Sequence, residues 1–282
     1  MVKENKEVVK KETGVSTAVH DYGADAGGGF EGTKAKDLTI PFLMLLQANS
    51  PQVENHQPEG SKTGMLLNSV TGVLYDANYD RKNVKAGVPF QPCFRQDAYV
   101  EWTPRDNGGG IVDRHMPDAK VVVDAIAAAE KKFGKLKLKN GNELVQTHYI
   151  YGNTLDEEGK MPNGFAVISC TGTKIKPFKN WFTAMYMLKG RPPLFAHRIL
   201  LQSFPDSNKK GKFANFVFAP FGKDMLSSLI DPRTESDLLD AGRRLRDMVA
   251  SGEAKAASEQ REHVDGEVDT DADPEGDGKA PF

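Results

Sequence analysis

The residues best suited to chemistry lie between positions 113 and 143: Asp113, His115, Asp118, Asp124 and Glu143. Carboxylates close to a lysine can hold magnesium and promote phosphodiester cleavage. Their spacing here is loose, and acids in a loop or a first helical turn serve more often as solvated or capping groups. The six histidines, at 20, 56, 115, 148, 197 and 263, form no pair at metal-ligand spacing. Gly108-Gly109-Gly110 is not followed by a helical pattern, no Gly-Lys-Ser or Gly-Lys-Thr occurs, and Ser169 lacks the glycine-flanked elbow of a hydrolase. Nothing in these motifs demands catalysis, and no cofactor is expected.

A second constellation is stronger because cations alternate with rings. Lys174, Lys176, Phe178, Lys179 and Trp181 are followed by Arg191, Phe195 and Arg198, then by Lys209, Lys210, Lys212, Phe213 and Phe216. Single-stranded nucleic acid needs both groups, since cations track phosphates and exposed rings stack on unpaired bases. Phe178, Trp181 and Phe182 fall at helical spacing, which fits a core stripe better than an open platform. Tyr99, Trp102, Tyr149 and Tyr151 are better stacking candidates, because they lie in period-2 strands of which one face can stay wet.

The elements that must position these residues read mainly as short strands. Met65–Val70 and Val73–Asp76 flank Thr71-Gly72 as a hairpin, and Val88–Thr103 is a long or bulged strand whose prolines, Pro89 and Pro92, restrict its first half to an edge. Leu144–Thr154, Phe165–Cys170, Phe195–Phe204 and Phe213–Phe221 follow, with Pro205–Gly211 as a polar hairpin tip. Helices are expected at Ala119–Phe133, after Pro177, and at Glu235–Val249, the last with Thr234 as N-cap and Leu238, Gly242, Leu245, Met248 and Val249 on one face. Strands without a βαβ rhythm predict an antiparallel, OB-like barrel with peripheral helices.

Charge is distributed unevenly along the 282 residues. Residues 1–119 carry 13 basic and 16 acidic side chains, residues 120–223 carry 17 and 7, and residues 224–282 carry 7 and 16. A basic middle followed by an acidic end suits a body that meets a polyanion and a tail that competes for the same surface. Residues 1–36 and 253–282 lack the apolar content to offset ordering entropy, so the folded domain is expected at 37–252, with disordered tails on both sides. The longest apolar stretch, Ile40–Leu46, is far below the roughly 20 residues that span a bilayer, and the start reads as no secretory signal. With Cys93 and Cys170 as the only cysteines, a reducing cytoplasm is the expected setting.

From Asp265 onward an acid falls at almost every second position, through Asp271, Asp273 and Asp277, and the sequence closes on Pro281-Phe282. This acidic arm with a terminal ring resembles bacterial single-stranded-DNA-binding proteins and bacteriophage counterparts of the same class. Two features depart from that pattern: Lys279 interrupts the tip, and the body is longer than a minimal OB domain. The segments Asp37–Phe42, Leu46–Val53 and Gly64–Tyr75 are also similar to phage proteins of this replication class. The resemblance implies that the tail recruits replication or recombination enzymes.

These readings combine into a non-catalytic protein that coats single-stranded DNA. Its DNA contacts are expected from Tyr99, Trp102, Tyr149, Tyr151, Lys174, Lys176, Lys179, Trp181, Arg191, Arg198, Lys209, Lys210 and Lys212, and its partner contacts from Asp271, Asp273, Asp277, Pro281 and Phe282. A homo-oligomer is compatible with this reading, and no membrane partner is expected. Two alternatives stand beside it: a magnesium-dependent nuclease or annealing recombinase, and a virion structural or adaptor protein.

Overall fold

β-branched and aromatic residues at period 2 produce two long strands, on which the rest of the fold is built. The computed structural model describes residues 28–29, 31–32, 37, 39–79, 86–104, 109–129, 136–209 and 211–256. The chain divides into two units, 1–34 and 35–282; in the first, the Gly29 N–H donates to Glu31 Oε1 at 3.1 Å. In chain order the second unit contains β1 (Thr39–Ile40), β2 (Leu43–Leu45), α1 (Pro51–Glu54), β3 (Leu66–Asn68), β4 (Leu74–Tyr75), β5 (Val88–Trp102) and β6 (Ile111–His115). There follow α2 (Lys120–Ala128), β7 (Leu136–Lys137), β8 (Glu143–Leu155), β9 (Pro162–Thr171), α3 (Ile175–Tyr186), β10 (Ile199–Asn208), β11 (Gly211–Pro220), α4 (Ser236–Ala250) and β12 (Lys255–Ala256).

The body is mainly β, with antiparallel sheets and few helices, as the sequence predicts. β5 and β8 pair from Phe90 opposite Thr154 to Trp102 opposite Glu143. Beyond β5, β10 pairs with its first residues and β6 with its last; beyond β8 lie β9 and the short β7. β11 is the hairpin partner of β10, and the order is β11-β10-β5-β8-β7 with β6 on β5 and β9 on β8. Among the described residues no ladder joins the ends of this order into the expected OB-like closure. A small β2-β3-β4 sheet contains the predicted hairpin, and β12 pairs in parallel with β1, carrying the folded body past the expected limit at Gly252.

In the strand order β5 is interior, but its prolines fall where one side carries no ladder, as expected: Pro89 pairs with β10 alone, and Pro92 with β8 alone beside a register shift. Two local expectations change. The supposed loop at 205–211 is largely strand, with Asn208 pairing Gly211. α4 begins at Ser236, with Glu235 rather than Thr234 at the cap position, and Glu235 pairs with Arg198 at 2.7 Å.

Both faces of the sheet are covered. On one, α3 inserts Phe178, Trp181 and Met185 against Ile150, Ile168, Ile199, Leu201, Phe216 and Phe218. On the other, Leu245 and Val249 of α4 join Phe195, Ile40 and Phe42 against Val100, Val167, Tyr149 and Tyr151. Gly242 allows the close approach of α4, since a Cβ there would meet Phe195 Cβ at 2.9 Å and Gln91 Nε2 at 2.5 Å.

Candidate nucleic-acid interface

Two layers of helix decide which of the predicted contacts can reach a ligand. Alternation along β8 sends Tyr149 and Tyr151 to the face that α4 covers, leaving them 3% and 6% exposed. Their hydroxyls are engaged within the protein: Arg114 Nε donates to Tyr149 at 3.3 Å, and Tyr151 donates to Gln96 Oε1 at 3.2 Å. Trp102 is buried in the same cluster. Trp181 lies on the inner side of α3, stacked on Phe218 with centroids 4.9 Å apart. Burying such a ring contributes roughly 4–6 kcal/mol, from about 150–250 Å² at about 25 cal/mol/Å². A stacked base returns about 1–3 kcal/mol, so these four rings stay inside. The expectation of a wet strand face is thereby corrected. Tyr99 is half-buried, packed with Val122, Ala125 and Leu136 around α2.

The cations divide in the same way. Lys174 is buried, its Nζ 5.3 Å from the Phe216 ring centroid. Arg198 is a structural clamp: it pairs with Glu235 at 2.7 Å and donates to the carbonyls of Gly159 and Leu229 at 3.2 and 3.3 Å. Neither points outward to a phosphate, because each is engaged by the core it helps to close. Lys176, Lys179, Arg191, Lys209 and Lys212 are exposed. Lys210, Asp271, Asp273, Asp277, Pro281 and Phe282 lie outside the described residues.

The exposed cations lie on neighbouring elements. Amphipathic spacing turns Phe178, Trp181 and Met185 inward and leaves Lys176, Lys179 and Thr183 on the outer side of α3. The β10–β11 hairpin meets the turn before α3, where Asn215 Nδ2 donates to the Thr173 carbonyl at 3.4 Å and Lys174 covers Phe216. From Gly159 to Pro205 there are seven lysines and arginines and no acid. The nearest acid in the hairpin, Asp206, accepts from Asn215 Nδ2 at 3.1 Å. Beneath α3, the Arg95 guanidinium lies 4.6 Å over the Phe182 ring and pairs with Asp97, which also accepts from His148 Nδ1 at 2.7 Å.

Sequence reasoning missed one exposed ring. Tyr186, the last residue of α3, is 54% exposed, and the Arg191 guanidinium lies 4.5 Å over its centroid. Gly190 and Arg191 both have positive φ, 82° and 45°, which folds the chain back over the helix end. For a bulky residue this backbone costs about 1–3 kcal/mol, whereas an exposed cation–π contact contributes about 0.5–1 kcal/mol. The available signal was Tyr186 falling off the Phe178–Trp181–Met185 stripe.

The acidic cluster resolves differently. His115 Nε2 donates to the buried Glu101 at 2.7 Å, Asn142 and Asn140 donate to the same carboxylate at 2.5 and 3.2 Å, and Asp124 pairs with Lys120 at 2.7 Å. Glu101 was absent from the expected set. Asp113 stays near His115, 3.8 Å from Nδ1, while Asp118 is exposed and Glu143 is buried. Among the described residues no three His, Cys, Asp or Glu side chains are grouped to hold a metal ion. Also among them, no helix is long and apolar enough to cross a membrane.

A family model described as Pam3 phage gp34-like protein matches residues 10–255. No curated protein and no solved structure matches the chain. Matched over most of its length, the chain belongs to the Pam3 phage gp34-like family, a family of phage proteins.

Proposed function

We propose that this phage protein binds single-stranded DNA without catalysis during replication or recombination. The observation that carries the proposal is the acid-free stretch from Gly159 to Pro205, which leaves Lys176, Lys179, Lys189 and Arg191 exposed on α3 and the turn after it. Such a surface attracts a polyanion and gives affinity that falls steeply with salt. Lys209 and Lys212 on the adjoining hairpin extend it. The acidic residues Asp271, Asp273 and Asp277 act as a competing polyanion, and Pro281-Phe282 as the segment that recruits replication or recombination proteins once DNA displaces the tail.

Titration of the full chain with labelled oligo-dT and with duplex of equal length, over a salt series, tests this reading. Preference for the single strand with a steep salt slope is expected, and equal affinity for both forms would refute it. Removing Asp265–Phe282 is expected to tighten DNA binding.

A second reading, a virion structural or adaptor protein, draws on Val123 and Ile126 of α2, which are 50% and 47% exposed one turn apart. Self-association in sedimentation without any DNA preference would favour it.

A further inference from the structure

We propose that Tyr186 and Arg191 form a docking platform for one unpaired nucleobase, in which the base stacks on the tyrosine ring and the guanidinium closes over it or moves to the neighbouring phosphate. This inference rests on the single-strand-binding reading and assigns its base-contacting group, which no other described ring supplies as well.

Three observations converge on the pair. Tyr186 is the most exposed aromatic ring among the described residues, while Trp102, Tyr149, Tyr151 and Trp181 are all buried. It shares a helical stripe with Lys179 and Thr183, at spacings of seven and three residues, so Tyr186 and the exposed Lys179 leave the helix about 10 Å apart along its axis. Lys189 is exposed in the same turn. A base on Tyr186 would therefore leave its flanking phosphates within the field of Lys179 and Lys189, with no acid in the surrounding sequence to oppose them.

The backbone supplies the third observation. Arg191 is held at φ 45° next to Gly190 at φ 82°, and the Arg191 N–H donates to the Leu188 carbonyl at 3.0 Å. Pro192-Pro193 restrict the chain immediately afterwards. The exposed ring contact is too weak to offset that conformation, so stability alone does not account for it. Bases and guanidinium groups take the same π surface, so the ring face that now holds Arg191 is one on which an unpaired base can replace it, leaving the cation free for a phosphate.

The test compares oligo-dT with an abasic sugar–phosphate strand of equal length, using the full chain, Tyr186→Ala, Tyr186→Phe and Lys176→Ala/Lys179→Ala. The wild type is expected to prefer oligo-dT. Tyr186→Ala should lose roughly five- to hundredfold in oligo-dT affinity, keep its abasic-strand affinity and retain the salt slope, while Tyr186→Phe restores binding. Circular dichroism should match the wild type and melting should fall only slightly, because the exposed ring loses little besides the Arg191 contact. Undiminished oligo-dT binding by Tyr186→Ala would overturn the platform while leaving the single-strand-binding reading intact. Absence of oligo-dT binding by the wild type at low salt would overturn both.

Discussion

Asn153 Nδ2 donates to Gln91 Oε1 at 2.8 Å in the interior, and Gln91 Nε2 passes the connection on to the carbonyls of Phe195 and Leu238 at 2.8 and 2.9 Å. One buried amide pair thus ties β8 and β5 to the turn at 194–196 and to α4, the helix that keeps Tyr149 and Tyr151 away from solvent. Gln91→Leu would strand both carbonyls and the Asn153 amide. We expect a loss of about 2–4 kcal/mol in urea unfolding, with the Gln91→Leu/Asn153→Leu double variant losing less than the sum of the singles.

Surface and clamp cations should separate cleanly. Lys176→Ala/Lys179→Ala is expected to leave the melting temperature unchanged and to reduce the salt slope of oligo-dT binding by about 1.4, at about 0.7 per single-strand phosphate contact. Arg198→Ala is expected to do the reverse, lowering the melting temperature by removing the Glu235 pair and two carbonyl contacts, with the salt slope intact. A slope change in Arg198→Ala would place that residue on the DNA after all.

Trp102 and Trp181 are the two tryptophans of the chain, and both are buried. Native fluorescence should be blue-shifted from the unfolded spectrum and protected from iodide. Saturating oligo-dT should quench it little, since neither indole can stack on a base without opening a helix. Strong quenching on binding would show that α3 or α4 lifts from the sheet.

Two carboxylates set the acid limit of stability. Burial pushes Asp97 up, but the hydrogen bonds and charges of Arg95 and His148 outweigh it, leaving the group below its ordinary value of 3.8. Burial likewise raises Glu101, and Asn142, His115 and Asn140 together bring it below 4.5. Because both are lower in the folded than in the unfolded chain, their contribution is complete above these ordinary values and is lost as pH falls through them toward the depressed ones. Urea midpoints measured from pH 7 to pH 3 should fall at the acid end, and more shallowly in Asp97→Asn and Glu101→Gln. Parallel acid limbs in wild type and variants would refute the assignment.

Period and spacing were enough to place most of the strands and the helices α3 and α4, because alternation and the 3.6-residue stripe are local properties that survive folding. The inward set Phe178, Trp181 and Met185 was legible for that reason, as was Leu238, Gly242, Leu245 and Val249. The candidate surface was only partly legible. Lys176, Lys179 and Arg191 are exposed as expected, yet Tyr149 and Tyr151 are buried although their strand alternates. Period 2 states that a strand has two faces, and it is silent on how many of them another element will cover. That α4, nearly ninety residues later in the chain, returns to close the second face is a long-range packing event. Tertiary structure alone therefore decided that the tyrosines of β8 are core while Tyr186 is open, because burial depends on which distant apolar surface finds which.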